Sequence, residues 1–545
     1  MTWYMNAVFY ELYPRAFADG NGDGWGDFIG LRARLDYLQW LGIDCIWLTP
    51  FYPSPLRDDG YDISDFHTID PRYGTLDDFK ALVDAIHARG MRVLVDLVMN
   101  HTSDQHPWFV ESRASRESPK RDWYVWSDTP DRYTEARVIF VDTEASNWTY
   151  DEGSGQYYWH RFYSHQPDLN YDNPAVQEAM LDVVDFWLRF GIDGFRADAV
   201  PYLYERDGTN CENLAETHAY LKRVRRFIDE HHPGCLLLCE ANQWPQDVRP
   251  YFGDGDEFHM GFHFPLMPRL FMAVRSGDRT PVVNILRQTP PIPSNCQWCT
   301  FLRNHDELTL EMVTEEERQW MWEHYAPEPL MRLNLGIRRR LAPLLDNDRR
   351  KLELMNSLLF TLPGAPILYY GDEIGMGDNL SLPDRNGLRT PMQWTGDTPG
   401  AGFSDAPLEA FYAPLVDWEP YGHAQVNVAA QRDDPDSLLN VTRHMIATRK
   451  QTPALGLGDM EFVEPEETGV LAFRRFYEGT TALLAHNLTG GALRATLPLE
   501  GFGGFEVRDL LHPERAWPPV GVGGSYPVTL QPYEYAWLLL SPPPT

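Results

Sequence analysis

The sequence predicts an α/β protein built around a closed barrel of eight parallel strands, with an irregular inserted subdomain and a C-terminal β-sandwich. Short apolar runs alternate with helical patterns through the first 370 residues, which is typical of repeated β/α units. Five of these runs end in polar residues, as strands do where a barrel builds its active site. After about Gln451 the pattern changes to short apolar runs separated by glycine and proline, which predicts a small all-β domain.

Eight apolar runs are predicted to be the barrel strands: 8–13, 45–48, 93–98, 194–197, 236–239, 258–262, 300–303 and 367–370. Helical patterns with recognisable ends follow most of them. Thr75 and Asp78 resemble a capping box, and Asn173-Pro174 opens a helix that closes at Gly191. Eight strands joined by crossovers imply a (β/α)8, or TIM, barrel.

Two connections are too long to be plain crossovers. Residues 103–168, between the third and fourth strands, form an aromatic and irregular excursion, and such an excursion from a barrel is usually a lid or subdomain. A second insertion, about 378–422, follows the last strand. The predicted domains are therefore the barrel (1–102 and 169–450), the inserted subdomain (103–168) and the C-terminal β domain (451–545).

Composition excludes several classes of partner and compartment. The formal charge of −32 and the pI near 4.8 argue against nucleic acid and anionic membrane surfaces. No stretch approaches the roughly 18 consecutive apolar residues of a membrane span. The N-terminus lacks the basic start and apolar run of a signal peptide, which predicts a cytoplasmic protein. Six cysteines, with the single C-x-x-C pair Cys296 and Cys299, favour buried reduced thiols over a redox or zinc site.

The stretch DGNGDGWGDF, residues 19–28, begins like the loop of an EF-hand. It is not an EF-hand, because Gly30 stands where the bidentate glutamate belongs and the residues before the loop predict a strand. A hard cation still fits the loop, which carries four oxygen-bearing side chains: Asp19, Asn21, Asp23 and Asp27. A flexible solvated turn is the alternative, and the mutual repulsion of these oxygens favours the metal.

Carboxylates stand at the ends of several predicted strands. Asp198 ends strand four, Glu240 follows strand five and Asp306 follows strand seven, together with two histidines and an arginine. One such carboxylate fits a helix cap. Three that converge from different strands pack like charges together, which requires a functional reason.

Four segments carry a resemblance to a known family: DLVMNH (96–101), GFRADAV (194–200), CEAN (239–242) and RNHD (303–306). In order and spacing they resemble the α-amylase superfamily of retaining glucan-active enzymes, and the resemblance covers nearly the whole chain. It implies that Asp198 is the nucleophile, Glu240 the general acid/base and Asp306 the transition-state stabiliser. The groups that it implies around the first glucose ring are Arg196, which keeps the nucleophile ionised, and Tyr61, Asp62, His101 and His305.

The chemistry of a retaining glycosidase suits these residue types. One carboxylate attacks the anomeric carbon while an acid about 5 Å away protonates the leaving oxygen. Arg196 and Asp198 stand two residues apart on one strand and point to the same side, so the guanidinium is expected to lower the pKa of the nucleophile. Desolvation and negative neighbours are expected to raise the pKa of Glu240, so that it keeps its proton near neutrality.

The loop at 19–28 and GLRTPMQW (387–394) resemble one subgroup, which contains oligo-1,6-glucosidase, sucrose isomerase and trehalose synthase. Within that subgroup, three further segments resemble the trehalose synthases: EANQWP (240–245), the run 199–214 and RRRLAPLL (338–345). The resemblance implies that maltose and trehalose are interconverted through a covalent glucosyl-enzyme, with a closed site that excludes water and limits hydrolysis. A hydrolase, either an α-glucosidase or a small amylase with the same triad, is the alternative. The intact triad argues against an inactive binding module.

The second sugar subsite must hold the released glucose in two orientations. The residues that we expect there are Asn242, Arg389, Arg137, Glu307 and Glu311. Glu307 and Glu311 fit equally well a solvated pair on a helix. The expected partner is a small disaccharide, and a homo-oligomer is left open.

The resemblance also implies structural calcium and no organic cofactor. The loop at 19–28 matches a calcium loop of the subgroup, with the ligands Asp19, Asn21, Asp23, Asp27 and the carbonyl of Trp25. A second site matches the superfamily's calcium between barrel and excursion, with the ligands Asn100, Asp168, Glu205 and the carbonyls of Tyr202 and Leu203.

Overall fold

The computed structural model describes residues 2–543 and confirms the predicted barrel. Its parallel strands are β1 (Phe9–Leu12), β2 (Cys45–Leu48), β3 (Arg92–Val98), β4 (Gly194–Asp198), β5 (Leu236–Cys239), β6 (Met260–Phe262), β7 (Gln297–Phe301) and β8 (Ala365–Tyr369). Each strand pairs with its neighbours in sequence order, and β8 closes the barrel against β1, where Phe9 is opposite Ile367. The predicted ranges differ from these by a few residues at the ends.

Helices surround the barrel, and their ends follow the sequence signals. The longer helices are Leu76–Ala88, Pro107–Ala114, Pro174–Phe190, Ala215–His231, Leu266–Ser276, Thr280–Gln288, Glu315–Tyr325, Arg349–Thr361 and Leu438–Gln451. The shorter ones are Pro14–Phe17, Phe28–Ala33, Leu35–Leu41, Pro245–Val248, Leu341–Leu344, Val428–Asp433 and Pro453–Leu457. The capping box is confirmed, since Thr75 and Asp78 each accept from the other's backbone N–H. Asn173 caps the helix that ends at Gly191, whose φ of 109° is left-handed.

Two excursions leave the barrel beside the strand ends. The predicted one, after β3, contains an antiparallel sheet of Trp126–Ser127, Trp148–Asp151 and Gln156–Trp159. The other follows β7 and was not predicted; its short strands Leu308–Thr309, Arg332–Leu333 and Gly336–Ile337 form a second small sheet. The segment after β8 is irregular, with 3-10 turns at Asn386–Leu388 and Leu408–Ala410.

The C-terminal domain is the predicted all-β sandwich. Five antiparallel strands form its larger sheet: Asp459–Val463, Val470–Tyr477, Thr480–Asn487, Glu506–Asp509 and Tyr535–Ser541. Leu493–Pro498 and Ser525–Leu530 form the second sheet. Leu497, Val528 and Leu530 of the second sheet are buried in one cluster with Leu483 and Leu538 of the first.

Two smaller expectations concern the state of the cysteines and the presence of membrane-spanning helices. All six cysteines are free, and five of them are buried, as the reduced-thiol interpretation requires. Between residues 2 and 543, no helix has both the length and the apolar character to cross a membrane.

Candidate active site

The barrel brings the three predicted catalytic carboxylates to one rim. Asp198 is the last residue of β4, Glu240 directly follows β5, and Asp306 follows β7. The register between β3 and β4 places Asp96 beside Arg196 and Val98 beside Asp198. Since all barrel strands are parallel, their carboxyl ends lie on one face, and these side chains meet there.

Arg196 is the centre of the cluster. It is 1% exposed, and its Nη1 donates to Asp96 Oδ1 and to Asp198 Oδ1, each at 2.6 Å. Its Nη2 lies 2.6 Å from Glu240 Oε1. One guanidinium therefore holds both Asp198 and Glu240. A retaining glycosidase likewise needs its two carboxyl groups close together.

Burial and charge separate the pKa values of Asp198 and Glu240. Burial raises the pKa of Asp198 to about 6, although Arg196 acts to lower it. The predicted effect of Arg196 is therefore present but outweighed. Burial also raises the pKa of Glu240, to about 8, with Asp198 and Asp306 acting in the same direction against Arg196. Near neutrality the pair can thus hold one proton on Glu240 while Asp198 is ionised.

Asp306 lies among cations. Burial acts to raise its pKa, but His305, Arg385 and Arg389 hold that pKa well below the ordinary value. His305 Nε2 is 3.1 Å from Asp306 Oδ2. Arg385 Nη1 and Arg389 Nη2 donate to Asp306 Oδ1 at 2.8 and 3.1 Å. Asp306 is therefore ionised at any pH at which the other two carboxyl groups work.

A cavity of about 120 Å³ opens onto the three carboxylates. It is lined by Asp58, Tyr61, His101, Ile139, Phe140, Phe162, Asp198, Ala199, Tyr202, Glu240, Asn242, Phe264, Asn304, His305, Asp306, Glu307, Thr309, Glu311 and Arg385. Ile139, Phe140 and Phe162 belong to the inserted subdomain, which is therefore part of the cavity wall. Aromatic faces beside convergent polar groups make a site for a small polar ligand with apolar faces, such as a sugar.

Most of the residues predicted to bind sugar line this cavity. They are Tyr61, His101, Asn242, His305, Glu307 and Glu311. Arg137 and Arg389 are not in the lining, but each contacts a lining carboxylate: Arg137 Nη1 donates to Glu311 Oε2 at 2.6 Å, and Arg389 to Asp306. The helical-pair alternative for Glu307 and Glu311 is wrong, because they flank the short strand Leu308–Thr309 rather than lie on a helix.

Asp62 requires a correction. Its fully buried carboxylate faces its own loop, where it accepts from Ser54 Oγ and from the backbone N–H of Arg57 and Asp58. Asp58, in the same loop, lines the cavity instead and pairs with Arg385 Nη2 at 2.8 Å. The prediction selected the wrong carboxylate because this loop has no periodicity that indicates which side chain faces inward.

Sequence reasoning missed several other residues of the site. Arg385 and Asp58 line the cavity, and Asp96 and Glu11 lie fully buried behind it. Asp96 could have been found from DLVMNH, where it stands four residues before Asn100. Arg385 could have been found from its position four residues before Arg389, whereas nothing in the local sequence singles out Glu11.

The loop at 19–28 carries the oxygen side chains that hard cations prefer, but its three carboxylates are not grouped to hold a metal by themselves. At alternate positions of this loop, a side-chain oxygen accepts a hydrogen bond from the backbone N–H two residues later; the residues are Asp19, Asn21 and Asp23. These bonds fold the loop around the side-chain oxygens. Asp27 accepts from Gly30 N–H as the cap of the next helix. Burial raises the pKa of Asp27, and the Asp19 carboxylate adds to the effect, as expected for anions that share a loop.

The second predicted site contains buried oxygens without hydrogen-bond partners in the described residues. They are Asn100 Oδ1, Asp168 Oδ2 and Glu205 Oε1. Burial raises the pKa of Asp168 to about 8 and that of Glu205 well above its ordinary value. No group of three or more His, Cys, Asp or Glu side chains within residues 2–543 is placed to hold a metal. A cation here therefore needs amide and main-chain oxygens as well, which this ligand set offers.

Comparison with protein families matches both domains. A family model for the alpha amylase catalytic domain matches residues 11–328 and 337–458. A second family model, for the C-terminal domain of maltogenic amylase, matches residues 460–537.

Similar proteins align with 90–100% of the chain. The chain is 58% identical over 548 residues to trehalose synthase/amylase TreS of Mycobacterium tuberculosis strain H37Rv, covering 99% of this chain and 90% of that protein. It is 54% identical to trehalose synthase of Pimelobacter sp. strain R48, covering 100% and 96%. Identity to probable oligo-1,6-glucosidase 3 of Bacillus subtilis strain 168 is 30%, covering 90% and 91%.

Solved structures show the same architecture. The α-glucosyl transfer enzyme XgtA superposes with a TM-score of 0.80 at 30% identity, covering 99% of this chain and 100% of that one. Trehalulose synthase MutB from Pseudomonas mesoacidophila MX-45 gives 0.79 at 28% identity with the same coverage. An inactive double mutant of MutB in complex with isomaltulose gives 0.79 at 29% identity, covering 99% of each chain.

Proposed function

The chain belongs to the α-amylase family, and we propose that it interconverts maltose and trehalose by moving a glucosyl unit within one bound disaccharide. The observation that carries this proposal is that Asp198 and Glu240, which both line one cavity, share the Arg196 guanidinium. The names of full-length relatives at 54–58% identity support the choice of substrate.

In the first step, Asp198 attacks the anomeric carbon of the non-reducing glucose of maltose and Glu240 protonates the leaving oxygen. Asp198 then carries the glucosyl unit covalently, and glucose is released beside it. In the second step, Glu240 takes the proton from the anomeric hydroxyl of that glucose, which attacks the glucosyl carbon. Two inversions restore the α configuration of the transferred glucosyl unit, and attack by the α-anomer of the retained glucose gives the α,α-1,1 bond of trehalose.

Retention of the glucose between these steps depends on the cavity wall. Phe140 of the inserted subdomain lies 5.4 Å from the guanidinium of Arg385, so the subdomain packs onto the segment that holds Asp306. Asn334 N–H donates to Asp142 Oδ2 at 2.6 Å and joins the two excursions. These contacts hold the two excursions and the segment after β8 together around the cavity, where they would limit the entry of water, the competing acceptor.

Asn242 and Glu307 are placed to hold the retained glucose. Asn242 Nδ2 donates to Thr309 Oγ1, while its Oδ1 has no partner in the described structure. Glu307 Oε2 is likewise buried without a hydrogen-bond partner among the described residues. Both residues line the cavity, so their side chains stand beside the space in which the retained glucose would lie.

The product formed from maltose tests the proposal. We expect proton NMR of the purified protein with maltose to show trehalose as the main product and glucose as a minor one. Glucose alone would make the chain a hydrolase that uses the same carboxylates.

We also propose that calcium binds at the two predicted sites and stabilises the fold. Asn100, Asp168, Glu205 and the carbonyls of Tyr202 and Leu203 would hold one ion, and the loop at 19–28 the other. When bound, calcium would neutralise buried carboxylates, and it takes no part in the chemistry. Neither site touches the cavity's carboxylates.

Removal of calcium should therefore lower stability. We expect the Tm to fall by several degrees when a strong chelator is added to protein purified with calcium, and to return with excess calcium, because an ion that binds only the folded chain stabilises it. Magnesium is the control cation, because it loses its bound water reluctantly and demands a stricter coordination geometry than calcium. An unchanged Tm with the chelator would contradict both sites.

A further inference from the structure

We propose that Glu11, on β1, is a positioning residue that holds His305 as a doubly protonated imidazolium beside the glucosyl subsite. This assignment rests on the proposed function, because the role of His305 is to meet the sugar held over Asp198. Glu11 itself does not line the cavity; it acts through His305.

A carboxylate oxygen stands at each ring nitrogen of His305. Glu11 Oε1 lies 2.5 Å from Nδ1, and Asp306 Oδ2 lies 3.1 Å from Nε2. Glu11 Oε1 also accepts from the backbone N–H of His305 at 3.2 Å. Ionised carboxylates only accept hydrogen bonds, and a neutral imidazole has only one N–H to donate. With both carboxylates ionised, only the imidazolium satisfies both contacts, since a neutral ring would turn a lone pair toward one of the oxygens.

The ring cannot turn away from this arrangement. His305 is 1% exposed and Glu11 is fully buried. Tyr61 stacks on the imidazole with ring centres 5.2 Å apart and planes 10° apart, while Tyr13 and Trp47 contact its edges. Among the described residues, His305 is the single cationic partner of Glu11, whose Oε2 has no hydrogen bond. The imidazolium is therefore what compensates this buried anion.

Titratable or charged groups face His305 from several elements. They include Tyr13, which directly follows β1, Tyr61 after β2 and Asp96 on β3. Asp306 lies on the same segment as His305, and Arg389, after β8, donates its Nε–H to the His305 carbonyl. Cys299 on β7 and Tyr369 on β8 face Glu11. Burial acts to lower the pKa of His305, but Asp306 and Glu11 outweigh it and raise the pKa to about 9.

The consequence for the reaction lies at Asp306. An imidazolium, Arg385 and Arg389 together keep Asp306 ionised and fix the orientation of both its oxygens. Loss of the Glu11 charge would let His305 become neutral in the working pH range. Asp306 would then lose one of its three cationic contacts, and its oxygens would no longer be held for the sugar.

Glu11→Gln tests this assignment, because it removes the charge but keeps an oxygen that accepts from Nδ1. Protein with 15N-labelled histidine, with His305→Gln to identify the signal, reports whether both ring nitrogens carry protons. We expect an imidazolium at pH 8 in the native chain and a pKa at least about 1 lower in Glu11→Gln. A neutral His305 at pH 7 in the native chain would overturn the assignment, even if the variant failed to fold.

A kinetic readout separates positioning from plain structural support. With α-glucosyl fluoride, fluoride leaves without a proton, so Glu240 does not set the alkaline limit of the rate. We expect Glu11→Gln to lower kcat/KM roughly tenfold and to move the alkaline limit to lower pH. In Glu11→Asp, which keeps the charge, the alkaline limit should lie at the same pH as in the native chain, even if the shorter side chain lowers kcat.

Glu373→Gln is the matched control for loss of a buried carboxylate. Glu373 is fully buried and accepts from the hydroxyls of Tyr10 and Tyr37, away from His305. The Glu373→Gln substitution should lower the stability of the fold without moving the alkaline limit of the rate. An alkaline limit that stays in place in Glu11→Gln would overturn the assignment. If maltose is not converted but Glu11→Gln still neutralises His305, the proposed function fails and the assignment of Glu11 stands.

Discussion

Replacing Asp198 by asparagine is expected to lower maltose turnover at least ~10⁴-fold, because a carboxamide cannot attack the anomeric carbon. Asn is nearly isosteric with Asp and can still contact Arg196, so the fold and maltose binding should persist. Rates of trehalose formation measure the loss, and calorimetric titration with maltose measures the retained binding.

The smaller variant Asp198→Ala distinguishes a nucleophile from a residue that only shapes the site. The space that it opens lies under the anomeric carbon, where azide can take the place of the carboxylate. With α-glucosyl fluoride and azide we expect β-glucosyl azide, the product of a single inversion. Near-native turnover in Asp198→Asn would remove Asp198 from the mechanism.

Replacing Glu240 by glutamine is expected to lower maltose turnover about 10³-fold, the range that general acid–base catalysis supplies. The loss should depend on the leaving group. Formation of the covalent intermediate from α-glucosyl fluoride needs no acid, so that step should be nearly unaffected. An equal loss with both substrates would argue that Glu240 holds the site together instead of transferring a proton.

The pH profile gives a second test of the same pair. Asp198 must be ionised, so activity should fall as pH drops through about 6. Glu240 must carry its proton for the first step, so activity on maltose should fall as pH rises through about 8. In Glu240→Gln the alkaline limit near 8 should disappear, because glutamine does not titrate. Its persistence would assign that limit to another group.

The barrel and its catalytic rim could be predicted because local patterns encode them. Alternation of apolar runs and helical stripes locates eight strands, and parallel strands have their carboxyl ends on one face. Asp198, Glu240 and Asp306 are each tied to a strand end. Any closed barrel with these strands therefore brings them together, whatever the loops do.

The residues that were missed or misassigned depend on contacts between distant segments. Asp58 faces the cavity because Arg385, 327 residues away, pairs with it, and the loop around Asp62 has no period that reveals this. Glu11 lies on a strand whose residues are all buried, so only the contact with His305 identifies it. The excursion after β7 has strands of two residues, which are too short to show alternation.

The proposed mechanism keeps glucose inside the site between the two chemical steps. Maltose should be converted in the presence of excess free glucose labelled with ¹³C, and the trehalose analysed by mass spectrometry. The proposed mechanism predicts trehalose that is almost free of label, because the acceptor is the glucose released from the same maltose. Trehalose that carries the label in proportion to the added glucose would show exchange with solution and would contradict the closed site.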